Sequence, residues 1–158
     1  MYQSILVPLD GSIRAERILP HVEALALRFK SRVLFLQVLN PLQVANLSLH
    51  VSGIHTDLVA QSLKDFGKRY EEVQQYLAGW QGEFREKGID ARKFIEEGPI
   101  VETIIMVAKR ENADLIAMAS HGRSGMARVF YGSVTAGVLQ MIDRPMLLIR
   151  SRNLETPA

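Results

Sequence analysis

Cysteine is absent from the 158 residues. That removes disulfides, thiolate metal sites and cysteine catalysis, and it fits a reducing compartment. No run of about 18 apolar residues occurs, so no membrane-spanning helix is expected. No basic run exceeds two residues, so a nucleic-acid footprint is not indicated. Internal repeats and low-complexity tracts are missing as well. The N-terminus reads at once as a strand rather than as a charged segment leading into an apolar one, which leaves the cytoplasm as the expected location.

What is present is ordinary globular material. Apolar residues make up 47% and charged residues 23%, and the formal charge is only +2. The pI near 9.0 therefore reflects a narrow excess of Lys and Arg. One soluble domain over 1–150 is expected, with a frayed polar tail over 151–158.

Strands and helices alternate along the chain. Ser4 to Leu9 is an apolar run closed by Asp10-Gly11, and Arg32 to Leu39 is a second, stopped by Asn40-Pro41. Between them Ala15, Ile18, Leu19, Val22, Leu25, Ala26 and Phe29 recur at helical spacing, with Ser12 placed to cap. Residues 41 to about 56 carry few periodic cues and read as a loop. Leu58, Phe66, Val73, Leu77, Trp80 and Phe84 mark a long helix closed by Lys87-Gly88. Ile89 to Glu96 is a less apolar strand, suited to an edge. Gly98-Pro99 opens a helix through Ala108, and Asp114 to Ala119 is a fourth strand. Ser133 to Ile142 is the last helix and Pro145 to Arg150 the fifth strand.

Five such alternations call for an α/β fold: an open, doubly wound, five-stranded parallel sheet with helices on both faces. The strand orders 3-2-1-4-5 and 2-1-3-4-5 compete, and both hold ligands beyond the carboxyl ends of the strands, where the winding reverses. In the first order the reversal brings Val7-Pro8-Leu9-Asp10-Gly11-Ser12 opposite Ala119-Ser120-His121-Gly122.

The second of these loops suits a polyphosphate. Gly122 and Gly125 let the backbone approach a ligand, and Gly132-Ser133 leads into a helix whose first amides are unpaired donors. The Ser133 hydroxyl and the Val134 and Thr135 amides extend the cradle, while Arg123 and Arg128 supply charge or remain solvated surface residues. A Gly-Lys-Ser/Thr sequence is lacking, so Walker-type chemistry is not indicated.

The stretch MASHGRSGMARVFYGSVTAGVL, with ILVPLDGS at the start and RPMLLI at the end, resembles the universal stress protein family. Its nucleotide-binding members carry G-x2-G-x9-G-[ST]. Gly122, the nine residues from Arg123 to Tyr131, Gly132 and Ser133 match the second part in full, and Ala119 replaces the first glycine. A methyl there makes a positive φ costly by roughly 1 kcal/mol. The resemblance implies a Rossmann-like, adenine nucleotide α-hydrolase-like fold in the 3-2-1-4-5 order that binds ATP, ADP or AMP, with Mg carried on the phosphates.

It implies Pro8, Leu9 and Asp10 beside base and ribose, Val38 bordering the adenine, and Met118 and Ala119 on the ribose side. His121, Gly122, Arg123, Gly125, Gly132, Ser133, Val134 and Thr135 would surround the phosphates. A homodimer through the last strand, Met146 to Ile149, is implied too, and it would cover an apolar edge. A slow ATPase and a non-nucleotide interaction module remain the rival readings.

Blander roles stand beside these. Asp10 can simply cap the turn at Gly11-Ser12. His121 has no serine and aspartate arrangement around it that would mark catalysis. His21, His50 and His55 lack metal-ligand spacing, and Trp80 and Phe84 belong to a core stripe. Glu96-Glu97 marks a strand end rather than an acid/base pair.

Overall fold

The computed structural model describes residues 1–40, 56–121 and 132–151. Five parallel strands, β1 (Ser4–Pro8), β2 (Arg32–Leu39), β3 (Ala91–Glu97), β4 (Leu115–His121) and β5 (Met146–Ser151), form one sheet in the order β3-β2-β1-β4-β5. The 3-2-1-4-5 order is therefore the one adopted. β1 pairs with β2 from Ser4↔Arg32 to Pro8↔Leu36, and with β4 through Ile5↔Leu115 and Leu6↔Ile116. Parallel neighbours need long crossovers, and the helices supply them.

Among the described residues those helices are α1 (Ile13–Glu16), α2 (Leu19–Phe29), α3 (Thr56–Glu86), α4 (Ile100–Arg110) and α5 (Ser133–Met141). Alternate strand residues face opposite ways, and each face has its own core. Ile5, Val7, Val33, Phe35, Leu115 and Ala117 meet Val22 and Ala26 of α2 and Val73, Leu77 and Phe84 of α3. Leu6, Leu34, Leu36, Ile116 and Met118 meet Ile104, Val107 and Ala108 of α4 and Val138 of α5. A strand buried on both sides reads as a near-continuous apolar run, which is why β1 and, Gln37 apart, β2 show no alternation.

α3 is pinned to the start of β3 by two donors, Gln81 Nε2 and Arg85 Nε, both 3.0 Å from the Ala91 carbonyl. It ends at Glu86, and Gly88 just beyond has a φ of +81° that disfavours a side chain. β3 lies at the sheet edge, as its mixed composition suggested. On the other face α5 comes close to α4, since a Cβ on Gly137 would lie 2.7 Å from Val101 Cγ2.

The expected helix over 15–29 is broken. α1 stops at Glu16, and α2 starts at Leu19 with Pro20 in its first turn. Proline has no N–H to donate back one turn, and its ring opposes the carbonyl there, so a new helix starts at Leu19 with Pro20 in its first turn instead of one helix running through. β4 extends two residues past Ala119, through Ser120 to His121. Pro99 caps α4 from outside rather than lying within it. The loop expected from residue 41 lies outside the described residues up to residue 55. The expected tail does so beyond Ser151, which ends β5.

Candidate functional site

The winding reverses between β1 and β4, so the carboxyl ends of these strands open a crevice with neighbours on both sides. The pairing of β1 with β4 ends at Leu6↔Ile116, and beyond it the two strands run on to Pro8 and to His121. Pro8 pairs with Leu36, and the Leu9 N–H donates to the Leu36 carbonyl at 2.8 Å. Val38 ends the same row two residues beyond Leu36 and packs against the α4 and α5 face, where Met118 and Val134 also lie.

The expected lining divides by face. Leu9 is buried in the opposite core, and Ala119 packs against that core too. With its N–H used by the sheet, Leu9 has only its carbonyl to offer a ligand. Ala119 sits inside β4, paired with Ile149. Positive φ among the described non-glycine residues occurs only at Lys30 and Asn112, so the alanine carries no backbone strain.

Beyond β1 the chain makes a tight polar turn. Asp10 Oδ1 accepts the Ser12 N–H at 2.9 Å, and Ser12 Oγ accepts the Ala15 N–H at 3.2 Å, starting α1. Gly11 between them has φ +80°, which explains the glycine. The capping role weighed for Asp10 is thus real, and it leaves the exposed carboxylate at the mouth of the crevice.

On the β4 side, His121 is the last strand residue, level with Ser151. Gly122, Arg123 and Gly125, and with them Ser124 and Arg128, lie outside the described residues. The description resumes at Gly132, the N-cap of α5, which makes no side-chain cap. The Ala136 N–H donates back to the Gly132 carbonyl at 2.9 Å, so the Ser133, Val134 and Thr135 amides precede the first intrahelical bond. Gly132 has φ −57° and ψ 156°, open to any residue. Backbone geometry therefore does not require a glycine at this position. Ser133 is exposed and Thr135 is buried.

Other polar groups escaped the sequence reading. Gln37, only 4% exposed, interrupts β2, and its Oε1 has no hydrogen-bond partner among the described residues. The same holds for the hydroxyl of Tyr76 on α3. Burial first, and then the facing Glu16 carboxylate of α1, hold that phenol well above the ordinary tyrosine range. A glutamine within an apolar run was a visible signal, whereas the meeting of Tyr76 and Glu16 was not. Gly98, at φ +140°, ends β3 and hydrogen-bonds the Leu39 carbonyl at 3.1 Å.

Trp80 and Phe84 do serve the core, and Glu96 pairs with Arg110 at 2.7 Å. His21 is exposed, while His50 and His55 lie outside the described residues. Among the described residues no group of three His, Asp or Glu is placed to hold a metal, and no helix is long and apolar enough to cross a membrane.

Comparison with known proteins bears on this crevice. The model of the universal stress protein family matches residues 1–150. Universal stress protein MJ0577 of Methanocaldococcus jannaschii is 28% identical, over 97% of this chain and 98% of its own. A solved structure of MJ0577 superposes with a TM-score of 0.76 at 27% identity, covering 97% of this chain and 99% of that one. Two more distant structures share the fold. A universal stress protein in complex with cAMP has a TM-score of 0.67 at 18% identity, over 96% and 98% of the two chains. One from Archaeoglobus fulgidus in complex with dAMP has a TM-score of 0.63 at 20%, over 94% and 98%.

Proposed function

Because the chain belongs to the universal stress protein family, we propose that it binds an adenine nucleotide across the carboxyl ends of β1 and β4. ATP is the first choice, with ADP or AMP as alternatives. The chain then serves as a cytoplasmic stress-response or signalling protein whose bound and empty states differ. The observation that carries this reading is the convergence at the reversal of winding. The Pro8–Asp10 end of β1 stands beside the end of β4, and the glycine-capped start of α5 follows.

Each part has a task. Pro8, Val38 and Met118 offer an apolar wall to the base, and the Leu9 carbonyl and the Asp10 carboxylate face the sugar. The amides at the start of α5, with Gly122, Arg123 and Gly125, take the phosphates. The space left by Gly132 suits a phosphate oxygen close to the backbone. Relatives in complex with cAMP and dAMP support an adenine nucleotide as the ligand class. Any Mg would ride on the phosphates. A second copy docked along Met146 to Ile149 would cover the open edge of β5.

The test is mass spectrometry of any small molecule released on denaturing the purified protein, joined to thermal melts with ATP. A bound nucleotide, or a melting temperature that climbs with ATP, supports the reading. No release and no shift at millimolar nucleotide defeats it. Turnover is a separate question: ATP hydrolysis at the background rate, unchanged in His121→Ala, rejects a catalytic role for that histidine.

A further inference from the structure

We propose that the first half of α3 is a hinged arm that gates the crevice, turning at Gly67 and held down by Phe66. What passes the gate rests on the nucleotide reading above; the hinge does not.

α3 carries the chain from the carboxyl end of β2 to the start of β3, so it runs back across the sheet. Its far end is fixed at the amino edge. There Gln81 and Arg85 bond the Ala91 carbonyl, Phe84 meets Phe35, and the Ile89 N–H donates to the Phe84 carbonyl at 3.0 Å. At about 1.5 Å per residue its 31 residues span about 46 Å, whereas the eight residues of β2 span about 26 Å. The surplus stands past the carboxyl edge of the sheet, the edge at which β1 and β4 end and the crevice opens.

Burial changes along α3 in step with this. Val73, Leu77 and Phe84 are in the core. From residue 60 to residue 72 every residue is exposed except Ser62 and Phe66, and Phe66 packs partly against the core. A segment with so few buried apolar contacts opens at low cost. It still holds its own helix, since Gln61 Nε2 donates to Asp65 Oδ1 at 2.9 Å one turn on. Such a segment swings as a unit about one point.

Gly67 supplies that point. A Cβ built there would meet nothing within 4 Å, so no packing neighbour asks for a glycine. Alanine would favour the straight helix by about fivefold, and the glycine forgoes this. Gly79 and Gly82 are equally open, but they lie in the half fastened by Leu77, Phe84, Gln81 and Arg85. Gly67 lies between the free half and the fixed one, next to the apolar anchor. Bending there lifts Phe66 and uncovers the carboxyl edge, and straightening restores the cover.

The chain has no cysteine, so paired spin labels at Ile13→Cys on α1 and Leu63→Cys on the arm report the motion cleanly. Both sites are exposed, at 79% and 68%. Their distance distribution is read by double electron–electron resonance, alone and combined with Gly67→Ala or Phe66→Ala. Entry and release rates are read on the unlabelled proteins by stopped flow, with a fluorescent ATP analogue displaced by ATP. Without a hinge variant, two distances should appear. Gly67→Ala should deplete the open one and slow entry and release alike, each by about fivefold, with Kd within about twofold of the wild type. Phe66→Ala should enlarge the open population and speed both rates. Gly79→Ala and Gly82→Ala should raise the melting temperature and leave both rates unchanged.

A single distance that none of the variants alters overturns the hinge. Rates that respond to neither Gly67→Ala nor Phe66→Ala overturn the gate, and so does an effect of Gly67→Ala that falls on Kd instead. A wild type that binds no ATP overturns the nucleotide reading, and the label distances then decide the hinge.

Discussion

The rings of Phe35 and Phe84 meet edge to face, centroids 5.0 Å apart and planes at 89°. This contact joins β2 to α3, and Phe84 is only 1% exposed. Removing a ring from such a site costs both transfer energy and a cavity. Phe84→Ala should destabilise the chain by about 3–5 kcal/mol, and Phe84→Leu by much less. Urea denaturation of the two variants checks both the size and the order.

Gly137 tests the α4–α5 contact. Alanine for glycine inside a helix normally stabilises by roughly 0.5–1 kcal/mol. Here the added Cβ would stand 2.7 Å from Val101 Cγ2, on a side chain with a stiff χ1. Gly137→Ala should therefore destabilise by about 1–2 kcal/mol, as overpacking does. Joined to Val101→Ala, it should lose less than the sum of the two single changes. A double-mutant cycle by thermal melts reads this coupling.

Arg144 precedes β5 and donates from Nη1 to the Ala108 carbonyl at 2.8 Å and to the Ala113 carbonyl at 2.7 Å. One guanidinium thus gathers the last turn of α4 and the approach to β4. Arg144→Leu should cost about 1.5–3 kcal/mol, the range for bonds to a charged group. Lysine lacks the planar fork and should recover only part of it. Equilibrium unfolding of the three proteins would show the ranking.

The raised pKa of Tyr76 makes a pH prediction with a definite sign. A phenol whose folded pKa lies above the ordinary value contributes stability that is complete below about pH 10 and is lost as pH rises through the folded value. The wild type should therefore lose stability relative to Tyr76→Phe only in alkali. Urea midpoints at about pH 8 and about pH 11 give the comparison, with lysine titration common to both proteins.

Gly132→Val separates binding from folding. The backbone at φ −57° accepts valine, so the variant should lose no more than about 1 kcal/mol, the scale of an N-cap change. Its side chain would fill the space assigned to the phosphate, and the ATP-induced rise in melting temperature should vanish. A retained rise would remove Gly132 from the phosphate site.

Much of this was legible in the sequence. Arg32 to Leu39 is a strand over the whole expected range, because a run buried on both faces is made mostly of apolar residues, here with Gln37 as the exception. The edge position of β3 showed in its charged residues. The break before α2 was legible in Pro20, but the apolar spacing from Ala15 to Phe29 ran across it and outweighed the missing N–H. The meeting of Tyr76 with Glu16 depends on how two helices turn about their axes over one sheet, and no local pattern records that. At the crevice, Pro8 and Met118 follow from strand order. Which side of the sheet each residue faces required the register, and that is what sent Leu9 and Ala119 into the opposite core.

The pairing of Ile5 with Leu115 has a consequence for a chain built from its N-terminus. β1 is the central strand, yet one of its two partners belongs to the second half of the chain. During synthesis β1 can join β2 and β3, but its other edge stays bare until residues 115–116 have been made. That is the interval in which the nascent chain is open to wrong strand partners. Slowing synthesis between β3 and β4 should raise misassembly more than slowing it after β5.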